Sequence, residues 1–504
     1  MPPVRILLFL FGLISAAVLL ALGDLDPAHP LATRTAAVAI IMAAGWLTEA
    51  IPLAVTALLP LALFPLLGVE KSSDVAAMYF NDTIILFLGG FMIALAMQRW
   101  NLHKRIALWV MLSCGVRPGQ LLLGVMLATA LLSMWISNTA TAMMMVTIVT
   151  AVTRSLESRL EARTARQVSV GLLLGVAYAA SVGGLSTLVG TPPNLAFRQI
   201  YAEQFPSAAE IGFAQWMCYA VPVSIVMLAL TWLLLRFQWM PSSNEDLVPH
   251  DVLREELQAL GPMSQGERIV LMAFVSLMIL WPTRTPIEFG LFTVPGWSDF
   301  IPTGAFIKDG TVAITVSALL FMIPVRDEKG PVLASGHQGL VPIMDWETAK
   351  GIPWGIVLLF GGGFALAGAF SSSGLSAWIG NQLASLQGTH PLLLVAGICL
   401  VLTFLTELTS NLATAQMFLP ILAQIAITIG VHPLLLMLPA TLSCSCAFMM
   451  PVATPPNAIV MGSGHVRTTD MARTGVVLNI LGVIVITALS SILIPIAFGV
   501  EANG

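Results

Sequence analysis

Charge is scarce in this sequence: 10% of its 504 residues are Asp, Glu, Lys or Arg, where a soluble domain carries roughly a quarter. With 57% hydrophobic residues and a mean hydropathy of +0.90, the chain falls outside the soluble globular and the disordered classes. An excess of positive charge is missing too. Lys and Arg number 22 against 26 Asp and Glu, for a net charge of -4, and no basic block able to neutralise phosphates occurs, so nucleic acid is excluded as a partner. The five cysteines, Cys114, Cys218, Cys399, Cys444 and Cys446, lie in or beside apolar stretches without disulfide or zinc spacing, and they read as small apolar residues. None of the seven histidines has metal-ligand spacing, and His465 reads as an interfacial residue. No nucleophile and base pair stands at membrane depth, so the chain does not read as an enzyme, and no organic cofactor is implied.

What the sequence does have is apolar runs of about 20 residues, the length that spans a bilayer. Spans are expected near 4–22, 35–50, 53–69, 82–98, 167–201, 213–236, 267–283, 310–324, 354–370, 433–465 and 474–499. The first lacks a small-x-small cleavage site and reads as a retained helix. Two stretches, 118–152 and 391–429, are too long for one straight span and carry a polar cluster at mid-length, Ser137-Asn138-Thr139 and Ser410-Asn411. Each is expected to be a re-entrant helical hairpin with its polar tip near the midplane, where irregular backbone is tolerated only inside protein or along a cavity. The fold expected is thus an all-α polytopic membrane protein of about eleven transmembrane helices plus two re-entrant hairpins.

Positive charge sets an orientation. Of the 22 Lys and Arg, five (Arg34, Lys71, Arg198, Arg284 and Lys308) fall in outside segments when the N-terminus is cytoplasmic, and the other 17 fall inside. That places the C-terminus outside, in a protein of bacterial plasma-membrane type.

The chain also repeats itself. Gly89-Gly90-Phe91 returns as Gly362-Gly363-Phe364, and Ser137-Asn138-Thr139-Ala140-Thr141-Ala142 returns as Ser410-Asn411-Leu412-Ala413-Thr414-Ala415, both at an offset of 273 residues. Thr191-Pro192-Pro193-Asn194 returns as Thr454-Pro455-Pro456-Asn457. Five spans and one hairpin in each copy force the copies into opposite orientations. Residues 1–30 then form a first helix, 31–236 one inverted repeat, 237–266 a polar cytoplasmic connector containing Glu245, Asp246, Asp251, Glu255 and Glu256, and 267–504 the second repeat. An amphipathic surface helix is expected in the connector. Inverted repeats with broken helices meeting at the midplane are the architecture of secondary transporters.

Four polar breaks converge by this symmetry: the two tips, and the loops 190–194 and 453–457. Paired prolines remove backbone N–H donors and leave carbonyls without partners. Free carbonyls with Ser, Thr and Asn oxygens suit a hard monovalent cation, and half-helix N-termini with Asn amides suit a carboxylate. Residues 118–152, 167–197, 391–429 and 433–465 contain no Lys or Arg. A buried dianion unpaired with a protein cation costs at least several kcal/mol, so sodium ions bound alongside are the expected compensation.

Trp46-Leu47-Thr48-Glu49-Ala50-Ile51-Pro52-Leu53, the two Ser-Asn tips and the two Pro-Pro-Asn loops together resemble the divalent anion:sodium symporter family, which includes sodium-coupled di- and tricarboxylate carriers. The resemblance runs over nearly the whole chain. It implies a homodimer, a fixed scaffold domain, and a mobile transport domain that holds both hairpins and moves as an elevator. It further implies substrate contacts at Ser137, Asn138, Thr139, Thr191, Pro192, Ser410, Asn411, Leu412, Thr454 and Pro455. The sodium sites implied are Ser133, Ser137, Asn138 and Gly190 for one repeat, and Thr406, Asn411, Ala453 and Pro455 for the other. Leu412 departs from the pattern by standing where a Thr would complete the second tip.

The function expected is sodium-driven import of C4-dicarboxylates such as succinate, malate or fumarate. The rivals are a sodium-independent exchanger and a sodium-coupled carrier of sulfate, citrate or another small anion. A channel would need a continuous polar pore, whereas the polar residues cluster at one depth. Glu407 is an intramembrane acid that either serves the site directly or braces the hairpin through backbone N–H groups. Glu49 and Asp82 read as caps or interdomain contacts. Gly361-Gly362-Gly363 reads as close helix packing, because a phosphate loop needs a following Lys-Ser/Thr. Met143 to Met145 fill apolar space.

Overall fold

The computed structural model of the protein describes residues 3–242, 247, 250–288, 293–326, 339–382 and 388–500. Glu245 and Asp246 of the connector, and Lys329 among the inside charges, lie outside the described residues. The described chain is mostly helical. Nine of its described helices are long and apolar enough to cross a membrane, from Val4–Leu22 to Thr468–Phe498, and shorter apolar helices accompany them. Two short antiparallel pairs depart from the all-α expectation: Ile287 sits opposite Val294, and Val325 opposite Val341.

Both long polar-centred stretches are broken where expected. The first is a helix Pro118–Ser133, a turn, and a helix Asn138–Glu157; the second is Pro391–Leu405, a turn, and Asn411–Ile429. Each opens with a proline at its first position, where the missing N–H would have no helical partner. Three of the expected single spans are interrupted. Helix Ala162–Gly184 stops and restarts as Pro192–Gln204, and Leu434–Cys444 restarts as Pro455–Gly462. Thr191 and Thr454 are extended, as a residue before proline tends to be, and the prolines cannot donate to the preceding turn. The stretch 53–69 is likewise split into Leu53–Thr56 and Leu59–Leu66.

Among the helices outside the expected spans, two lead into the broken stretches. Leu102–Cys114 carries His103, Lys104 and Arg105 in its first turn and runs up to the first hairpin; Leu375–Gln382 holds the corresponding place before the second. The connector contains the expected amphipathic helix, His250–Ala259, which buries Leu253 and pairs Glu256 with Lys104 at 2.8 Å.

Helix Ala162–Gly184 is the spine of the molecule. Every residue from 168 to 184 is buried, packed by both helices of the first hairpin, by Phe213–Trp239 and by Pro455–Gly462 of the other repeat. Helix Pro3–Leu22, by contrast, turns Leu7, Phe11 and Ile14 outward, as a lipid-facing surface does. The three consecutive glycines serve packing: a Cβ on Gly362 would lie 2.3 Å from the Ala57 carbonyl oxygen, and one on Gly363 would overlap the Gln416 side chain. Gln416 in turn donates to the Leu359 carbonyl at 3.0 Å, tying the second hairpin to helix Trp354–Ser372.

Apart from Glu407, the buried charge among the described residues gathers in two clusters away from the polar breaks. Arg105 meets Glu267 twice, at 2.8 and 3.2 Å, with both side chains about 5% exposed. At the far end of Pro192–Gln204, Arg198 pairs with Asp309 at 2.9 Å and with Glu210, which also takes Arg284 at 2.9 Å and Lys308 at 2.6 Å. Burial pushes the Glu210 carboxyl up, but Arg198, Lys308 and Arg284 outweigh it and hold the group at about 2. These pairs join the helices nearest the breaks to the loop and helix around Asp309–Met322. Three of the five cations counted as outside, Arg198, Arg284 and Lys308, are engaged here.

Removing one member of the inner pair strands the other in a dry place, at a cost of about 3–5 kcal/mol. Glu267→Ala is therefore expected to lower the thermal unfolding midpoint of the detergent-purified protein strongly. The double change of Arg105 and Glu267 to Met should recover most of the loss in the same melt.

Candidate substrate and cation site

A helix that stops inside the protein leaves a carbonyl-rich end, and the helix that restarts presents free N–H groups. The four breaks supply both. Helices Pro118–Ser133, Ala162–Gly184, Pro391–Leu405 and Leu434–Cys444 end at them, and helices Asn138–Glu157, Pro192–Gln204, Asn411–Ile429 and Pro455–Gly462 begin there. All four restarting ends line one cavity of about 540 Å³, through residues 137–139, 190–193, 409–412 and 453–456. Apolar side chains of unbroken helices, Leu47, Phe87, Phe91, Ile356 and Leu359, line it as well. Every substrate residue expected from the sequence lies on this cavity, from Ser137, Asn138 and Thr139 through Thr191, Pro192, Ser410, Asn411 and Leu412 to Thr454 and Pro455.

Behind each tip lies a knot of oxygens. In the first repeat Ser133 Oγ is 2.5 Å from the Asn138 amide and donates to the Ala180 carbonyl at 2.7 Å. As placed, Asn138 Oδ1 faces acceptors alone; with the amide turned over, its nitrogen donates to the carbonyls of Ala180 and Gly190, each at 3.2 Å. In the second repeat Thr406 Oγ1 donates to Asn411 Oδ1 and to the Cys444 carbonyl, both at 2.8 Å. The two arrangements use the same groups, a hydroxyl, a tip Asn and a carbonyl from the end of the helix before the break, with the Asn amide turned the other way in the first repeat. Such a set of uncharged oxygens is what a hard monovalent cation needs. Of the expected sodium ligands, Ser133, Asn138 and Gly190 come together, as do Thr406 and Asn411. Ser137 caps helix Asn138–Glu157 instead, accepting from Ala140 N at 3.3 Å, while Ala453 and Pro455 line the cavity. Ala180 and Cys444 escape the sequence reading because they contribute backbone oxygens, which no side-chain pattern announces.

The Pro-Pro-Asn asparagines turn away from the cavity. Asn194 is fully buried and its amide donates to the carbonyls of Gly184, Leu185 and Thr187; Asn457 does the same for Ala447 and Met450. They satisfy the backbone of the breaks. The Oδ1 atoms of both accept no hydrogen bond among the described residues, so each break keeps one further spare oxygen.

Glu407 is the brace and not a lining residue. Its carboxylate accepts from the backbone N–H groups of Phe448, Met449 and Met450, at 2.7 to 2.8 Å, and from the Asn479 amide at 2.7 Å. Four charge-assisted bonds fix the break between Leu434–Cys444 and Pro455–Gly462. The first repeat has Met134 at the matching place, whose carbonyl accepts from Thr187, so the two breaks are held by different chemistry.

Two side chains at the cavity's edge are charged. The breaks themselves carry no Lys or Arg, but Arg5 and Glu49 also line the cavity, from its mouth, 3.5 Å apart and each about half exposed.

A cavity built from broken helices inside a bundle of apolar ones defines a membrane transporter, and two solved transporters share the fold. MtrF of Neisseria gonorrhoeae, whose structure is titled as illuminating a class of antimetabolite efflux pumps, matches with a TM-score of 0.55 at 14% identity, over 97% of this chain and 98% of its own. The YdaH transporter of Alcanivorax borkumensis matches with a TM-score of 0.55 at 13% identity, over 88% of this chain and 90% of its own.

Sequence places the chain within that class. The model of the sodium:sulfate symporter transmembrane region matches residues 6–497, and the chain belongs to this family, the divalent anion:sodium symporters that its motifs resemble. It is 41% identical over 473 residues to a sodium-dependent dicarboxylate transporter, SdcS, of Staphylococcus saprophyticus, covering 93% of this chain and 87% of that one. The SdcS of a Staphylococcus aureus strain is 42% identical over 479 residues, with the same coverage.

Because Glu407 satisfies three consecutive N–H groups, Glu407→Ala leaves them buried without acceptors, at about 1–3 kcal/mol for each group. The variant is expected to melt well below the parent protein in detergent. Glu407→Gln, which keeps one acceptor oxygen, should fall between the two.

Proposed function

We propose that the protein is a secondary active transporter that imports C4-dicarboxylates such as succinate, malate or fumarate together with Na+. One observation carries this reading: two matching oxygen knots, Ser133 with Asn138 and Thr406 with Asn411, flank a single cavity whose broken-helix wall has no Lys or Arg. The substrate lies between the tips, its carboxylates facing Ser137, Asn138, Thr139, Ser410 and Asn411 and the four helix N-termini. The four N-termini offer about half a positive charge each; desolvating the dianion still carries a cost, and Na+ in the knots offsets it. Ion and substrate each lower the cost of binding the other, so one is carried with the other.

The 41–42% identical relatives named as sodium-dependent dicarboxylate transporters support the ion and the substrate class. Two tips re-entering from opposite faces, inverted repeats at 31–236 and 267–504, and a cavity lined by both broken and unbroken helices suit elevator-type movement of a hairpin-bearing domain against a scaffold. The protein works as a homodimer in this reading. With the N-terminus cytoplasmic and the C-terminus outside, the mouth beside Arg5 opens to the cytoplasm.

Radiolabelled succinate uptake into proteoliposomes, with and without an inward Na+ gradient, tests the proposal. Uptake is expected to depend on the gradient and to fall at least a hundredfold in Asn138→Ala or Asn411→Ala while the melt stays unchanged. Uptake that needs internal dicarboxylate but no Na+ would make it an exchanger. Competition by sulfate or citrate ahead of succinate would reassign the anion.

A further inference from the structure

The cation at the mouth of the cavity is not accounted for by the tips. Arg5 stands in the first turns of helix Pro3–Leu22, and among the described residues that line the cavity it is the cationic one, with Glu49 the anionic one. Its position is fixed by the backbone. Gly12 lets this helix approach Pro30–Thr48 so closely that a Cβ there would lie 2.3 Å from Ala44 Cβ, and Glu49 is the residue that ends Pro30–Thr48.

The pair these residues make is loose. Arg5 and Glu49 are 3.5 Å apart and about half exposed, where Arg105 and Glu267 sit at 2.8 Å and are buried. An exposed pair of that kind is screened by solvent and contributes little, so opening it is easy. A pair meant to fasten two helices would be short and dry. Glu49 is nonetheless held in an unusual way: its backbone is left-handed, φ 48° and ψ 30°, which among the described non-glycine residues only Asn101 shares. Glycine would fit that turn at no steric cost. A strained position occupied by a carboxylate at the edge of a ligand cavity points to a role for the carboxylate itself.

We infer that Arg5 is a docking residue for the transported dianion on the face carrying the N-terminus, and that it exchanges Glu49 for a substrate carboxylate as the anion enters or leaves there. The inference rests on the transport reading above. When the cavity is empty, Glu49 neutralises Arg5 and keeps the mouth from holding stray anions. As a dicarboxylate passes, its nearer carboxylate replaces Glu49 on the guanidinium, and the tips and helix N-termini then take the anion deeper. Arg5 thereby sets the affinity of one face, whereas the tips serve both.

The test is sided. Transport is measured in oriented proteoliposomes with labelled succinate applied at each face in turn, for the parent protein, Arg5→Gln, Arg5→Lys and Glu49→Gln. Arg5→Gln is expected to raise the half-saturating succinate concentration at the N-terminal face roughly three- to tenfold. The opposite face, the maximal rate and the melt should not change. Arg5→Lys should retain most of the affinity, and Glu49→Gln should improve it. Raising ionic strength should weaken binding at that face in the parent protein more than in Arg5→Gln. Equal half-saturation in parent and Arg5→Gln, or equal losses at both faces, would overturn the docking role while leaving transport intact. A parent protein that moves no dicarboxylate would overturn the transport reading and this inference with it.

Discussion

A backbone amide that finds no partner in a dry interior costs several kcal/mol, and this constraint shapes the site. The chain interrupts four helices in the middle of an apolar bundle. Each interruption exposes carbonyls on one side and N–H groups on the other, and every one of these must be answered. Asn194 and Asn457 answer carbonyls with their amides, Ser133 and Thr406 do so with hydroxyls, and Glu407 answers three N–H groups at once. What is left over is a surplus of oxygens behind each tip and a surplus of N–H groups facing the cavity. A cation fits the first surplus and an anion the second. Binding chemistry here is thus a by-product of broken helices whose internal demands are almost, and not completely, met.

Apart from Glu407, the buried charged side chains obey the same logic by staying away from the breaks. Arg105 with Glu267, and Arg198, Arg284 and Lys308 with Glu210 and Asp309, gather at the ends of helices where several partners can meet. A guanidinium between the tips would satisfy a carboxylate permanently and leave nothing for a mobile ion to do. Among the described residues the cation that lines the cavity is Arg5, loosely paired with Glu49, and the proposed docking there is separate from the proposed compensation at the tips.

Much of this arrangement is legible in the amino-acid order. The two hairpins and the helix Asn138–Glu157 beginning at Ser137 follow from apolar length and a polar centre, and the breaks at Pro192 and Pro455 follow from paired prolines. The two tips can be read together on one cavity because their side chains repeat at a fixed offset. Other features are silent for physical reasons. The carbonyls of Ala180 and Cys444 belong to residues whose side chains say nothing of their backbone. Helices Leu102–Cys114 and Leu375–Gln382 are too polar or too short for a hydropathy criterion. Arg5 is distant in sequence from every tip and reaches the cavity only because Gly12 lets two helices pack closely, a contact that no local pattern encodes.

Leu412 breaks the likeness of the two tips at one point: it is buried, lines the cavity and offers a branched hydrocarbon where Thr139 offers a hydroxyl. A guest whose two ends are identical can lie either way round in such a host and loses nothing by the choice. A guest bearing an extra hydroxyl near one end would have two poses of unequal energy there, because a hydrocarbon leaves that hydroxyl without a partner where a threonine would meet it. Unlike a charged group, a side chain of this kind would sort guests by handedness and substitution pattern rather than by overall charge.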